Sequence, residues 1–399
     1  MLREKIIAAA NNRKVQKTAL ILLGMVLLVF FLQMYHKANR VGGYDFTSFI
    51  YSAKALLNGQ NPYKTISPFP YIYPMFFAAL LIPLAVLPYW LANLLWFWLN
   101  IVFLFLSVKI IVELVAEYFK IKLSKVLILP LVVSFFLLLN LIQNNLLNGQ
   151  VNLLVLFLCV LFIKYYLEKK EITAAVCLSA AISIKLVPAV FLLFLLLRRR
   201  FLSLLIVTAL VFVFCFLVPY AFLRGEFIPI FMEYINNFII GSLAGTKNAA
   251  DMFFNIKDLM FYLKPDLSYP LFIRIFPLLA VFVPLIVLEL FNLKKVNKYS
   301  ELLVFNLYLL SVLLYSPISE THHLVLLIPV VCLAGLIIIF NKKYFKLQMS
   351  LPYLAFFVCL ILGKIVKYGP FYIFAIFLLY YIVTRLIVDI HNNKRTNNI

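Results

Sequence analysis

Asp45, Lys185 and the adjacent pair His322 and His323 are the side chains of this 399-residue chain whose chemistry fits worst with their surroundings. Each lies beside or inside a long apolar run. Asp45, in "GGYDFTSFIYSAKALLNGQNPY", directly follows a hydrophobic span, where a carboxylate can serve as a general base at the lipid–water boundary or simply cap a helix. Lys185 stands alone in "AAISIKLVPAVF". A lysine there is either a functional cation or an interfacial anchor whose head snorkels to water. His322 and His323, in "SPISETHHLVLLIP", suit hydrogen bonding to a phosphate or sugar hydroxyl, or sit at the interface near headgroups. Neighbouring helical residues point about 100° apart, so this pair cannot face one metal as an i, i+4 pair does.

A second group is uncharged. "NLIQNNLLNGQVNLL" (residues 140–154) carries Gln143, Asn144, Asn148, Gln150 and Asn152 between two spans. Such amides are costly in hydrocarbon unless they line a wet cavity, so they are read as polar lining in preference to a plain loop. After Asp45, Phe49, Ile50, Leu56 and Leu57 interleave with small residues as in a short interfacial helix, with Asp45 or Thr47 at its start and "NGQNPY" ending it. Pro188 is expected to bend or break the helix beside Lys185, freeing backbone groups next to a cation and giving a plausible phosphate seat.

The elements that must position these groups are set by composition. Hydrophobic residues make up 65% and charged residues 13% of the chain, against roughly 45–50% and 25% in soluble domains. The chain is therefore read as a polytopic all-α membrane protein; its apolar runs are too long and too uniform for barrel strands. The formal net charge of +21 lies in short clusters between apolar runs, which points to membrane topology and anionic lipid, with no nucleic-acid partner. The five cysteines lie in apolar runs without a CxxC pair, so neither a disulfide framework nor a metal knuckle is expected. The first apolar run is long enough to span and lacks a cleavage site, so no cleavable signal peptide is expected.

Cations at the N-terminus place it in the cytoplasm, and residues 37–73 then fall outside. Six runs after Arg198–Arg200, near 201–222, 270–291, 299–315, 322–340, 349–364 and 370–388, alternate with cationic linkers and return the C-terminus to the cytoplasm. This leaves 223–269 as a large outer loop. The first half offers seven runs where an even number must cross. Either 172–197 is one helix kinked at Pro188, or 73–88 lies in the interface; the second choice puts Lys120, Lys122 and Lys125 inside and is preferred. Both give twelve spans, with Asp45, the amide segment, Lys185 and the histidines on one extracytoplasmic side. Arg198–Arg200 is read as a topology anchor. No repeat is visible, and residues 1–399 are taken as one integral-membrane domain.

With these residues in hand, the chain resembles glycosyltransferase family 87, polyprenol-phosphate-mannose-dependent transferases of the GT-C fold. The resemblance runs over nearly the whole chain. It rests on Asp45 with "LLNGQNPY" and "YIYP" (71–74), on "NGQVNLLVLFL", on "AAISIKLVPAVFLLFLLLRRR", on "KNAADMFF" and on "SPISETHHLVLLIPVV". In the last, the family commonly carries an aromatic residue where this chain has Glu320.

The resemblance implies a GT-C-type fold of about twelve membrane helices whose outer loops form the active site. It implies transfer of a hexosyl residue, mannosyl by default, from a polyprenyl-phosphate sugar to a glycolipid or envelope-glycan hydroxyl, with inversion. Asp45 would be the general base. Lys185 and His322 or His323 would stabilise the leaving phosphate, with Asn148, Gln150, Asn152, Tyr71 and Asn248 as donor-binding residues. Tyr44, Tyr73 and Trp96 are further aromatics that either stack on sugar rings or anchor in the interfacial belt. The implied location is the bacterial inner membrane. No cofactor is expected: there is no GxGxxG or GKS/T motif, and the outer carboxylates have no metal-ligand spacing, although an assisting divalent ion stays open. Two other classes are carried alongside: a transporter or flippase for polyprenyl-linked glycans or lipids, disfavoured by the absence of an inverted repeat, and an envelope glycan polymerase.

Overall fold

The computed structural model describes residues 12–119, 135–240, 254–266, 269–294, 296–316, 319–340 and 347–396, together with Glu4, Ala8 and Tyr344. Lys120, Lys122, Lys125 and Asn248 lie outside them. Among the described residues every regular element is helical. Where lipid offers no hydrogen bonds, only a helix satisfies its own backbone within one segment.

The first helices are α1 (Arg13–Ala38), α2 (Asp45–Leu57), α3 (Met75–Ala85), α4 (Tyr89–Phe119), α5 (Leu139–Leu147), α6 (Asn152–Leu167), α7 (Glu171–Ile184) and α8 (Phe191–Leu197). There follow α9 (Phe201–Phe212), α10 (Val218–Leu223), α11 (Phe227–Tyr234), α12 (Ile256–Leu263), α13 (Pro270–Leu293), α14 (Lys298–Tyr315), α15 (Ile328–Phe340), α16 (Leu347–Val366) and α17 (Gly369–Thr396).

Among the described residues, seven helical stretches are long and apolar enough to cross a bilayer: α1, α4, the run Phe201–Ile240, α13, Thr321–Ile339, α16 and α17. The pair α5 and α6, bent by 118°, makes an eighth if counted as one span. The protein is thus an all-α, multi-pass integral membrane protein. The 11 residues of α3 extend only about 16 Å, short of the roughly 30 Å hydrocarbon core. The first part of the stretch read as a large outer loop is helical, continuing to Ile240 beyond a left-handed break at Arg224, φ +47°.

The chain divides into two compact units. One comprises Met1–Leu23, Ser107–Leu141 and Gly245–Ile399. Its centre is α14, buried from Tyr299 to Leu314, where Ser300, Glu301, Asn306 and Ser311 are enclosed together with a majority of apolar side chains. Helices α13 and α17 pack on it. The other unit comprises Gly24–Leu106 and Ile142–Ala244. There α2 lies on α3, α6 on α7 and α7 on α9. Phe46 stacks on Trp96 with centroids 5.4 Å apart and meets Phe49 edge to face, an arrangement favoured by the ring quadrupoles. This unit holds Asp45, the amide residues from Gln143 to Asn152 and Lys185.

Candidate active site

Asp45 opens α2 after a turn whose glycines, Gly42 and Gly43, have φ of +85° and +69°. A Cβ on Gly43 would lie 2.1 Å from Thr47 Oγ1, so a side chain there would displace the hydroxyl that caps the helix. Thr47 Oγ1 accepts the Tyr44 N–H at 3.0 Å and shares a hydrogen bond with the Tyr89 hydroxyl at 2.5 Å. With Thr47 doing the capping, the Asp45 carboxylate is released for another partner. It finds one in Gln150, whose Nε2 donates to Asp45 Oδ2 at 2.6 Å.

The Asp45 carboxyl is held above the usual aspartate range. Burial is the main cause, because it penalises the charged form. The Gln150 hydrogen bond and the positive charges of Lys37 and Arg40 pull the other way. Those two cations had no assigned role in the sequence reading. Lys37 stands eight and Arg40 five residues before Asp45, and Arg40 Nε is anchored on the Gly43 carbonyl at 3.0 Å.

Gln150 is placed by the turn between α5 and α6. Gly149 sits at φ +61°, and a Cβ there would come within 2.6 Å of the Tyr44 ring and 2.7 Å of Phe46 Cβ. Its carbonyl accepts the Trp96 indole N–H at 2.7 Å. The amide segment is therefore the hinge of the bent pair, and its side chains bond one another and nearby charges. Gln150 Oε1 accepts the Tyr73 hydroxyl at 3.0 Å. Lys37 donates to Asn148, which donates in turn to Asn144 at 2.5 Å. Gln143 donates to Gln33 at 3.0 Å.

Lys185 is positioned by the end of α7. The break falls at Lys185 itself, three residues before the proline expected to cause it. The pyrrolidine ring of Pro188 would clash with the carbonyl of residue i−4, Ile184, the last residue of α7, and it supplies no N–H to that carbonyl. Lys185 is consequently extended, φ −151° and ψ 129°, while Pro188 starts the next turn. The Lys185 ammonium donates to Asn152 Oδ1 at 2.7 Å and lies 5.6 Å from the centroid of the Tyr73 ring. Asn152 Nδ2 donates to Asn145 Oδ1 at 3.3 Å.

A continuous polar chain results: Asp45, Gln150, Tyr73, Lys185, Asn152, Asn145. Tyr73 is its central member, bonded through its hydroxyl on the acid's side and meeting the lysine with its ring. Tyr71, two residues earlier, is buried and donates its hydroxyl to the Pro74 carbonyl at 2.9 Å. The signal for Tyr73 was the "YIYP" pair, which does not say which of two tyrosines is wired to the acid.

His322 and His323 belong to the other unit. They stand in the first turn of the 3₁₀ segment Thr321–Leu327, rings 4.3 Å apart. His323 Nδ1 accepts the Glu320 N–H at 2.9 Å, and His322 Nδ1 lies 3.5 Å from Glu320 Oε2. Glu320 thus organises both imidazoles.

A multi-pass helical membrane protein that joins a half-buried carboxylate to a half-buried lysine through one polar chain has groups suited to acid–base and charge-stabilising chemistry. Residues 71–317, more than half of the chain, match the model of glycosyltransferase family 87, and the chain belongs to that family. It is accordingly a membrane glycosyltransferase. The match takes in Tyr73, Gln150, Asn152 and Lys185, begins after Asp45 and ends before the histidines. No curated protein matches the chain.

Proposed function

We propose that this protein transfers a hexosyl residue, mannosyl by default, from a polyprenyl-phosphate sugar to a hydroxyl of a glycolipid or envelope glycan. The fold would be of the GT-C type, in a bacterial inner membrane, with both termini cytoplasmic and the site on the outer face. The observation that carries the reading is the chain from Asp45 through Gln150 and Tyr73 to Lys185, which joins a basic carboxylate to a fixed cation.

In the proposed reaction Asp45 takes the proton of the acceptor hydroxyl. The hydroxyl oxygen forms a bond to the anomeric carbon on the face opposite the phosphate, and the bond from that carbon to the phosphate oxygen breaks. The electron pair leaves on the phosphate and the configuration inverts. A carboxyl held above the usual aspartate range is a stronger base once ionised, which suits it to this task. Lys185, fixed by Asn152 before substrate arrives, meets the charge that develops on the departing phosphate; a preorganised cation in a water-poor site is worth more than the same cation in water. Gln150 orients the carboxylate. Asn148, Tyr71 and Asn248 remain donor-site candidates on the strength of the resemblance. His322 or His323 would assist the phosphate, and His322→Asn and His323→Asn, assayed separately, test that assignment.

The deciding experiment is transfer from a polyprenyl-phosphate hexose by purified Asp45→Asn protein whose folding is verified by melting. Loss of transfer with an intact fold is expected. Retained transfer would remove Asp45 from the base role.

A further inference from the structure

Four helix ends in the unit that holds Asp45 close with the same backbone motif. In each, one residue donates its N–H three residues back and the next donates five back: Gly59 to Leu56 and Gln60 to Ala55; Gly149 to Leu146 and Gln150 to Asn145; Lys169 to Tyr166 and Lys170 to Tyr165; Arg199 to Leu196 and Arg200 to Leu195. The first residue of each pair is left-handed, with φ of +70°, +61°, +60° and +55° in turn. Glycine is the default there, because it adopts positive φ without steric cost. Two of these ends use glycine, while the other two place a long cation where glycine would be free of strain.

The two cationic turns adjoin. Arg200 Nη1 bonds Glu171 Oε1 at 2.7 Å and its guanidinium lies 5.7 Å from the Tyr166 ring. Lys164, Lys169, Lys170, Arg198, Arg199 and Arg200 set six cations against two carboxylates, Glu168 and Glu171. Lys170 faces Glu168 at 2.8 Å. Each turn closes one helix, α6 or α8, and opens the next, α7 or α9, which pack on each other, so the opposed helix-end dipoles offset and the side-chain cations set the local field. Just beyond the turns the helix surfaces are apolar and bare: Ile172 is 66% exposed, Phe201 62% and Leu205 68%. The whole arrangement lies at the far end of α7 from Lys185, about 21 Å away by helix rise.

We propose that these two turns form a binding site for an anionic phospholipid with two phosphates, its headgroup on Lys169 and Arg199 beside Lys164 and Arg198, its acyl chains along Ile172, Phe201 and Leu205. A guanidinium grips phosphate through paired hydrogen bonds and an ammonium acts as a point charge. The strain kept at both left-handed positions is what a purely structural turn would lose by taking glycine. The site is independent of the transfer reaction.

The test is the Lys169→Gly, Arg199→Gly double variant, which removes charge and strain together. In neutral detergent it should melt at or above the wild-type temperature. Added cardiolipin should raise the melting temperature of the wild type and leave that of the variant unchanged, and phosphatidylcholine should shift neither. Native mass spectrometry should find one cardiolipin retained by the wild type alone. Lys169→Asn with Arg199→Asn, which also tolerates the left-handed backbone, serves as a second variant and should behave alike. Equal shifts in variant and wild type, an equal shift with phosphatidylcholine, or full reproduction by inorganic pyrophosphate would each overturn the assignment.

Discussion

Gln150 donates a hydrogen bond of 2.6 Å to Asp45 across 105 positions of sequence, from the hinge of one helix pair to the first turn of another helix. The same amide accepts from Tyr73, so its orientation is fixed: with its oxygen taken by a hydroxyl, its nitrogen faces the acid. Gln150 therefore favours the ionised carboxylate, against the burial that disfavours it.

Activity should accordingly depend on pH in a direction that can be checked. The acid limb of kcat/KM should lie above the ordinary aspartate range, because the carboxyl must be ionised to act and burial raises it. Replacing Gln150 with Leu removes a lowering influence, so the limb should move to higher pH. Lys37→Gln should move it the same way. A limb that shifted downward in either variant would contradict the network.

Asp45→Asn should abolish transfer, with a loss of about 10²–10⁴-fold in kcat, while the protein stays folded. The sign on stability follows from linkage. A carboxyl whose folded value is raised binds its proton more tightly when folded, so ionisation opposes folding and stability falls as pH rises through that raised value. Asparagine has no such term. The variant's melting temperature at neutral pH should equal or exceed that of the wild type and lose this part of the pH dependence.

Lys185→Met should lower kcat by about 10²–10³-fold if the ammonium meets developing phosphate charge. Asn152→Leu should also lower it, by freeing the lysine. Since Asn152 is argued to act through Lys185, adding Asn152→Leu to Lys185→Met should cost little more. Fully additive losses in this double-mutant cycle would show that Asn152 acts separately.

Gly149→Ala should destabilise the protein by about 1–3 kcal/mol, the usual cost of overpacking a tight site. Its φ is positive and the new methyl would press on Tyr44 and Phe46. Because Gln150 follows directly, activity should fall further than stability does, which comparison of melting and turnover at one temperature would show.

The membrane class, the helical fold and the identity of the polar residues were legible in the chain, since 65% apolar composition leaves no soluble alternative and each polar intruder is conspicuous in an apolar run. The halt of α7 near Pro188 was legible as well, though its position was not. The clash reaches back to Ile184 and so places the break at Lys185. Capping by Asp45 was a reasonable local alternative, and Thr47 fills that role instead, a choice made by the Tyr44 N–H and the Tyr89 hydroxyl.

What the sequence by itself determined was which segments must leave water and which side chains would be expensive to take along. Partnership among those side chains was decided only by the tertiary structure. Gln150, Tyr73 and Lys185 lie on three separate segments, and no local periodicity encodes a hydrogen bond between them. Burial in a low-dielectric interior makes each polar group seek a partner, and packing of α2, α6 and α7 with the segment before α3 settles which partner it finds.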